Sequence, residues 1–223
     1  MNEFIFILQL LLLLLPLLAA VRLGKEALIC WVVISAILAN LFVLKQITLF
    51  GFSATASDTL AVSSILALNL TQEHFGQESA KKATLISFWA LLLFAGLSHL
   101  HLLYAPSSAD TTQGAYQLLL KPAVRLFLAS LTAFFLTQRF DLFFFAKLKN
   151  WLPHAPFWLR SSTSSLSSQL LDTVLFSFLG LYGQVESIFS IICISFTIKT
   201  VVVLLAAPFT ALSKRLKESY AAN

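Results

Sequence analysis

The chain has 223 residues, of which 58% are hydrophobic and only 11% charged, with a mean hydropathy of +0.86. A soluble domain carries about 25% charged residues, so this composition excludes a water-soluble globular protein and points to an integral membrane protein with several spans. The net charge of +5 does not signal a nucleic-acid partner, because the basic residues sit at the ends of apolar runs rather than in one patch.

Residues 4–21 are almost pure leucine with Pro16 inside. The LLAA stretch looks like a signal-peptide cleavage region. The residues before it carry Glu3 and no Lys or Arg, so the segment reads as an uncleaved first span. The second span is 28–45, with Asn40 in its far half. The third, 55–71, is the least apolar: it holds Asp58 and Asn69, and Glu73 follows. A loop with Lys81 and Lys82 precedes the fourth span, 84–104, which exits into a polar loop rich in turn residues. The fifth, 118–145, is the longest and contains Arg125, Gln138, Arg139 and Asp141. Two prolines and several aromatics at 150–158 suit the membrane interface. The sixth span is 162–182. The seventh, 188–210, has Lys199 near its middle and Pro208 near its end, and a basic tail follows. No strand alternation of barrel type appears. The expected fold is an all-α bundle of about seven transmembrane helices in a single multi-pass domain, 1–223.

Orientation follows from the basic residues. With the spans alternating and the C-terminus inside, the cytoplasmic segments hold Arg22, Lys25, Lys81, Lys82, Lys147, Lys149, Arg160, Lys214, Arg215 and Lys217. The outer segments hold Lys45 and Lys121, a ten-to-two bias that places the C-terminus in the cytoplasm of a cell inner membrane. Cys30 and Cys193 fall on different spans near opposite faces, which argues against a disulfide and for two small apolar residues.

The stretch that organises the rest is 158–183, WLRSSTSSLSSQLLDTVLFSFLGLYG. A carboxylate, Asp172, lies near the middle of its apolar run, where a charge costs roughly 2.5–3.5 kcal/mol on insertion scales. Ser165, Gln169, Asp172 and Phe176 follow i, i+4, i+7, i+11 spacing and share one helix face, flanked by Thr173. The seventh span is antiparallel to this one and joined to it by the short GQVE turn, so Lys199 and Asp172 both fall near the midplane and are expected to pair. Asn40, Asp58, Asn69, Arg125, Gln138 and Asp141 complete the intramembrane polar set. Some of these pairs simply hold the bundle together; a polar cavity shared by several spans is what a small-solute transporter needs.

Chemistry of other kinds lacks its motifs. There is no glycine-rich phosphate loop, no GxSxG elbow, no HExxH and no paired Cys/His spacing. The reading is therefore not an enzyme: no catalytic residue, no metal and no cofactor is expected. His99 and His101 point away from each other on a helix and read as local hydrogen-bonding residues near the outer interface. The serines at 161–168 read as small residues for close helix contact.

At these residues the sequence resembles the queuosine-precursor transporters of the vitamin uptake transporter group. The resemblance runs from about Asn40 to Lys217. It rests on Arg125 through Leu131, Asp141 through Lys149, the WLRSSTSSLSSQLLDTVLF block, and Lys199 with Pro208. EHFG at 73–76 followed by AKKA matches the family's ExYG segment before its basic loop, and Asn40 with Lys45 matches its NxxxxK. The leucine-rich first span lies outside the family's six-helix core. Asn69 stands where the family usually has an aspartate four residues before the glutamate, and Ala56 to Ser64 replaces an aromatic-proline run.

The resemblance implies import of a modified deazaguanine: 7-cyano- or 7-aminomethyl-7-deazaguanine, or the free base queuine. The implied substrate-binding residues are Asp172, Gln169, Lys199, Arg125, Asn40, Asn69, Glu73 and Phe176. A carboxylate can accept the two N–H donors of a guanine-like edge, Gln169 can donate and accept beside it, and Phe176 or Trp89 can stack on the ring. On this reading Asn69 weakens a cationic aminomethyl substrate relative to a neutral one. Two functional classes stand: a self-sufficient transporter, and a substrate-binding subunit of the energy-coupling-factor kind that needs a separate ATPase module. The partners implied are the deazaguanine, the lipid bilayer, and either a homo-oligomer or that coupling module.

Overall fold

The seven apolar segments are all helical in the computed structural model of the chain, which describes residues 1–43, 45–120, 124–183 and 188–221. In chain order these helices are α1 (Asn2–Leu23), α2 (Lys25–Phe42), α3 (Asp58–Phe75), α4 (Gln77–Leu102), α6 (Val124–Trp151), α7 (Phe157–Phe176) and α8 (Ile188–Ala221). A short α5 (Gln113–Leu120) precedes α6, and α7 runs on into one π-helical turn, Ser177–Leu181. Lys121, residues 184–187 between α7 and α8, and the side chains of Arg125, Lys214, Arg215 and Lys217 lie outside the described residues.

Lipid offers no hydrogen bonds, so a chain this apolar satisfies its backbone within helices. Five segments are long and apolar enough to cross a bilayer among the described residues: α1, α2, α4, Leu128–Trp151 of α6 and Ile191–Ser213 of α8. The fold is an all-α membrane bundle. α3 and α7 are less apolar because they face protein instead of lipid. α3 packs against α1, α2, α4, α6, α7 and α8, and fourteen of its eighteen residues are buried. α7 buries Ser161, Ser164, Ser165 and Ser168 against its neighbours, where small side chains let backbones approach. α1 joins the core through Leu10, Leu14, Leu17 and Val21, while Phe4, Leu8, Leu12 and Leu15 face outward.

The segment between α2 and α3, for which the sequence predicts no element, forms a hairpin: β1 (Gln46–Leu49) pairs antiparallel with β2 (Phe52–Thr55), with Leu49 opposite Phe52. Phe50 and Gly51 make the two-residue turn, both with positive φ (50° and 84°), as the primed hairpin turns require. The hairpin docks on the start of α1. Asn2 Nδ2 donates to the Thr48 carbonyl at 3.1 Å, and the Phe50 N–H donates to Glu3 Oε1 at 3.2 Å. Gln9 Nε2 then donates to the Ala56 carbonyl and to Thr59 Oγ1, which anchors the beginning of α3. The fifth span also differs from expectation. Its first residues form α5, whose eight residues bury none of their side chains, and α6 begins only at Val124.

Polar ties close the end of the bundle where α3 finishes. Glu73 Oε1 accepts from Arg160 Nη2 at 2.9 Å, and Lys149 Nζ approaches Oε2 at 3.2 Å. Arg160 and Glu73 are nearly sealed, with side-chain exposures of 5% and 6%, whereas Lys149 is 46% exposed. Asp141 accepts from Ser164 at 2.6 Å and Ser168 at 2.8 Å, Gln72 donates to the Leu142 carbonyl, and Asn69 Nδ2 donates to Ser165 Oγ at 3.1 Å. Just beyond these contacts the chain reverses into α4 at Gly76, whose φ of 85° a side chain would strain.

Removing one member of a buried ion pair strands the other, at a cost of about 3–5 kcal/mol. Glu73→Gln is therefore expected to lower the thermal stability of the purified protein in detergent by that order. Lys149→Ala, which removes a half-exposed partner, should cost less than about 1 kcal/mol. Equal melting temperatures for Glu73→Gln and the parent would show that Arg160 does not depend on Glu73.

Candidate functional site

The helix that carries the sixth apolar segment aims its polar stripe into the bundle. Gln169 and Thr173 are buried, and Asp172 and Phe176 are half-buried on the same side of α7. Lys199 reaches across from α8. Its Nζ donates to Asp172 Oδ2 at 2.8 Å and to Thr173 Oγ1 at 3.2 Å. The ammonium is 7% exposed and the carboxylate 23%, so the lysine is sealed behind an acid that remains reachable. The pairing expected from the antiparallel spans is thus present.

These side chains line a cavity of about 500 Å³, within the usual range for small-molecule sites, roughly 300–1,000 Å³. The wall residues come from the same half of every contributing helix. They include Asn40 at the end of α2, Asp58 and Ser64 at the start of α3, and His99 late in α4. Ser130, Phe134, Thr137 and Gln138 come from the first half of α6, and Gln169 to Leu181 and Ile191 to Lys199 from α7 and α8. Leu119 and Leu120 of α5 add to the same wall.

Hydrogen bonding separates the wall into two classes. Asn40 and Gln138 are held by the protein. Asn40 donates to the Ala36 carbonyl and accepts from Ser130. Gln138 accepts from Thr84 Oγ1 at 3.2 Å and donates to Ser64 Oγ at 3.1 Å, tying α4, α6 and α3 together. Gln169 is different: it is fully buried, and neither its Oε1 nor its Nε2 has a protein partner. Asp58 Oδ2 and Thr137 Oγ1, also on the wall, are equally bare. Most buried polar atoms in native proteins are bonded, so these three groups on one wall are candidates for contact with a polar ligand, although Asn69 Oδ1, Gln72 Oε1 and Asp141 Oδ2 are equally bare away from the cavity. Among the described residues no group of three or more His, Cys, Asp or Glu could hold a metal ion.

The structure brings together Asp172, Gln169, Lys199, Asn40 and Phe176 of the residues expected at the site. Asn69 and Glu73 are not on the wall. They sit deeper along α3, bonded to Ser165 and to Arg160, because the α3 face they occupy packs against α7 rather than against the cavity. The side chain of Arg125 lies outside the described residues. Trp89 cannot stack on a ligand here, since it points outward from α4 with 59% exposure; Phe94 and Phe134 offer aromatic faces instead. Asp58 was visible in the sequence as an intramembrane charge but had no assigned role. Thr137 had no signal at all, being one hydroxyl in a long apolar helix.

The two glutamines make a direct test of this division. Gln169→Met replaces two bare polar atoms with apolar ones, and the empty protein should be unchanged or more stable by about 1 kcal/mol, with ligand binding lost. Gln138→Met breaks two bonds that tie α6 to α4 and α3, although Thr84 and Ser64 keep the Ala80 and Val32 carbonyls, so it should destabilise by about 1–3 kcal/mol. Thermal unfolding with and without ligand separates the cases. A Gln169→Met protein markedly less stable than the parent would mean that Gln169 is structural.

Comparison with known proteins bears on the whole arrangement. Residues 55–213, which hold every helix contributing to the cavity except α2, match the family described as "Putative vitamin uptake transporter". Over 197 residues, 86% of each chain, the sequence is 30% identical to a Bacillus subtilis (strain 168) protein named "Probable queuosine precursor transporter". No solved structure matches the chain. With the family's own region spanning the polar helix α3, the sealed end and the cavity alike, this chain belongs to the vitamin uptake transporter family.

Proposed function

We propose that the protein imports queuosine precursors across the inner membrane for salvage into tRNA modification, with the cavity as the substrate site. The observation that carries this reading is the buried Asp172–Lys199 pair beside an amide, Gln169, that has no partner in the protein. A deazaguanine edge presents two N–H donors and a carbonyl. Asp172 accepts the donors, and Gln169 supplies the complementary donor and acceptor. Phe176 stacks on the ring, and Lys199 is the ion-pair partner of the carboxylate in the empty state. Asn40 shapes the rim, while Asn69 and Glu73 act behind the site, holding its far end closed. The substrates are 7-cyano- and 7-aminomethyl-7-deazaguanine and queuine, in keeping with what the Bacillus subtilis relative is named for.

All seven long helices cross the membrane in this reading, with α3 enclosed by the others and α7 packed against α3, α6 and α8. Lys81, Lys82, Lys147, Lys149 and Arg160 fall at the end that also holds Arg22 and Lys25, which makes that end cytoplasmic. The cavity then lies in the outer half, where an importer first meets its cargo, and the Glu73 cluster lies in the inner half.

Purified protein in liposomes should accumulate labelled 7-cyano-7-deazaguanine without ATP, in competition with the aminomethyl compound and queuine. Asp172→Asn, expressed at the normal level, should abolish this uptake. Binding without uptake would favour a substrate-binding subunit served by a separate coupling ATPase. Failure to bind any of the three compounds would overturn the reading. A reporter fused after Asn223 should be active only in the cytoplasm.

A further inference from the structure

We infer that Asp58 is a second substrate carboxylate, placed to receive a positively charged arm, so that the cavity prefers an ammonium-bearing deazaguanine to a neutral one. The inference rests on the reading of the cavity as a deazaguanine site.

Asp58 is the first residue of α3, held in place by the hairpin before it and by the Gln9 contacts to Ala56 and Thr59. An acid in the first turn of a helix is ordinarily a surface residue that complements the helix dipole. Here it is 4% exposed and lines the cavity, and its Oδ2 has no hydrogen-bond partner. Lys199 does not resolve this. An ammonium has three donors, and this one directs two of them to Asp172 Oδ2 and Thr173 Oγ1, while its interaction with Asp58 is through charge alone.

Among the described residues, the carboxylates lining the cavity are Asp58 and Asp172, and Lys199 is hydrogen-bonded to Asp172 and not to Asp58. A neutral ligand gives Asp58 no counterion. A ligand with a primary ammonium, which stays protonated at neutral pH much as a lysine does, supplies one and gives Oδ2 the donor it lacks. The two acids stand on different helices, α3 and α7. Asp172 can take the ring edge while Asp58 takes the arm. The preference expected from Asn69 falls away, since its amide is turned to Ser165 and it does not line the wall.

The test is direct binding of 7-aminomethyl-7-deazaguanine and 7-cyano-7-deazaguanine to the purified full chain. The parent should bind the aminomethyl compound roughly tenfold or more tightly than the cyano compound, the scale of one charge-assisted hydrogen bond. In Asp58→Asn the ratio of the two affinities should fall by a similar factor, and Asp58→Glu should restore part of it. Should the variants not fold, the parent alone decides: N-acetylation of the aminomethyl arm removes its charge and should weaken binding roughly tenfold. Equal affinity for the acetylated and free amines, or a ratio indifferent to Asp58→Asn while the parent binds both compounds, overturns this inference and leaves the transport reading standing. Binding of neither compound by the parent overturns both.

Discussion

A bilayer has no hydrogen bonds to give, and the structure is arranged around one helix that could not survive in it. α3 carries an aspartate, an asparagine, a glutamine and several hydroxyls along its length. Each would cost free energy against lipid, so the other helices must surround it. Their lipid-facing leucines and phenylalanines and their bundle-facing small residues both follow from that requirement. α1 supplies a leucine face, α7 supplies serines that bring backbones close, and the hairpin fixes the point at which α3 begins. Asp141 and Arg160, on the flanking helices, find their partners because the same enclosure brings them to α7 and to α3.

Enclosure alone does not make a site. The two halves of the bundle use the same residue types to opposite effect. At the Glu73 end, an ion pair and serine–carboxylate bonds tie the helices together, although Asn69 Oδ1, Gln72 Oε1 and Asp141 Oδ2 have no hydrogen-bond partner there. In the other half, Gln169, Asp58 and Thr137 keep polar atoms that nothing in the protein answers. Asp141 and Asp172 show the same contrast. The first is wholly buried between two serines; the second is paired on one oxygen and still reachable. What separates the two halves is access: the Glu73–Arg160 pair is nearly sealed, while the Asp172 carboxylate stays open to the cavity.

Much of this was legible in the sequence, for a physical reason. Apolar runs of membrane length announce helices directly, so all seven long helices could be placed from residue order. The i, i+4, i+7 stripe on α7 and the pairing of Asp172 with Lys199 needed only helical geometry, and the family match covers those same helices. What was not legible depended on rotation about helix axes and on short elements. Whether Asn69 faced the cavity or α7, and whether Trp89 faced ligand or lipid, is a matter of a fraction of a turn that apolar neighbours on both sides conceal. The hairpin left a trace in Phe50–Gly51 between two short runs, but it is overshadowed by the spans that flank it. α5 merges into the apolar run that leads to α6.

The single π turn at Ser177–Leu181 sits on the cavity wall, directly after Phe176. Such a turn holds one residue more than an α turn closes over, with its bonds running from i to i+5. That surplus residue is a movable defect. If it migrates one turn along α7, the residues it passes rotate by about 100° and advance by about 1.5 Å, and hydrogen bonds are exchanged rather than lost. A shift of this kind would re-aim Phe176 and Ser177 within one helix, leaving the ion pair of Glu73 and Arg160 at the other end untouched.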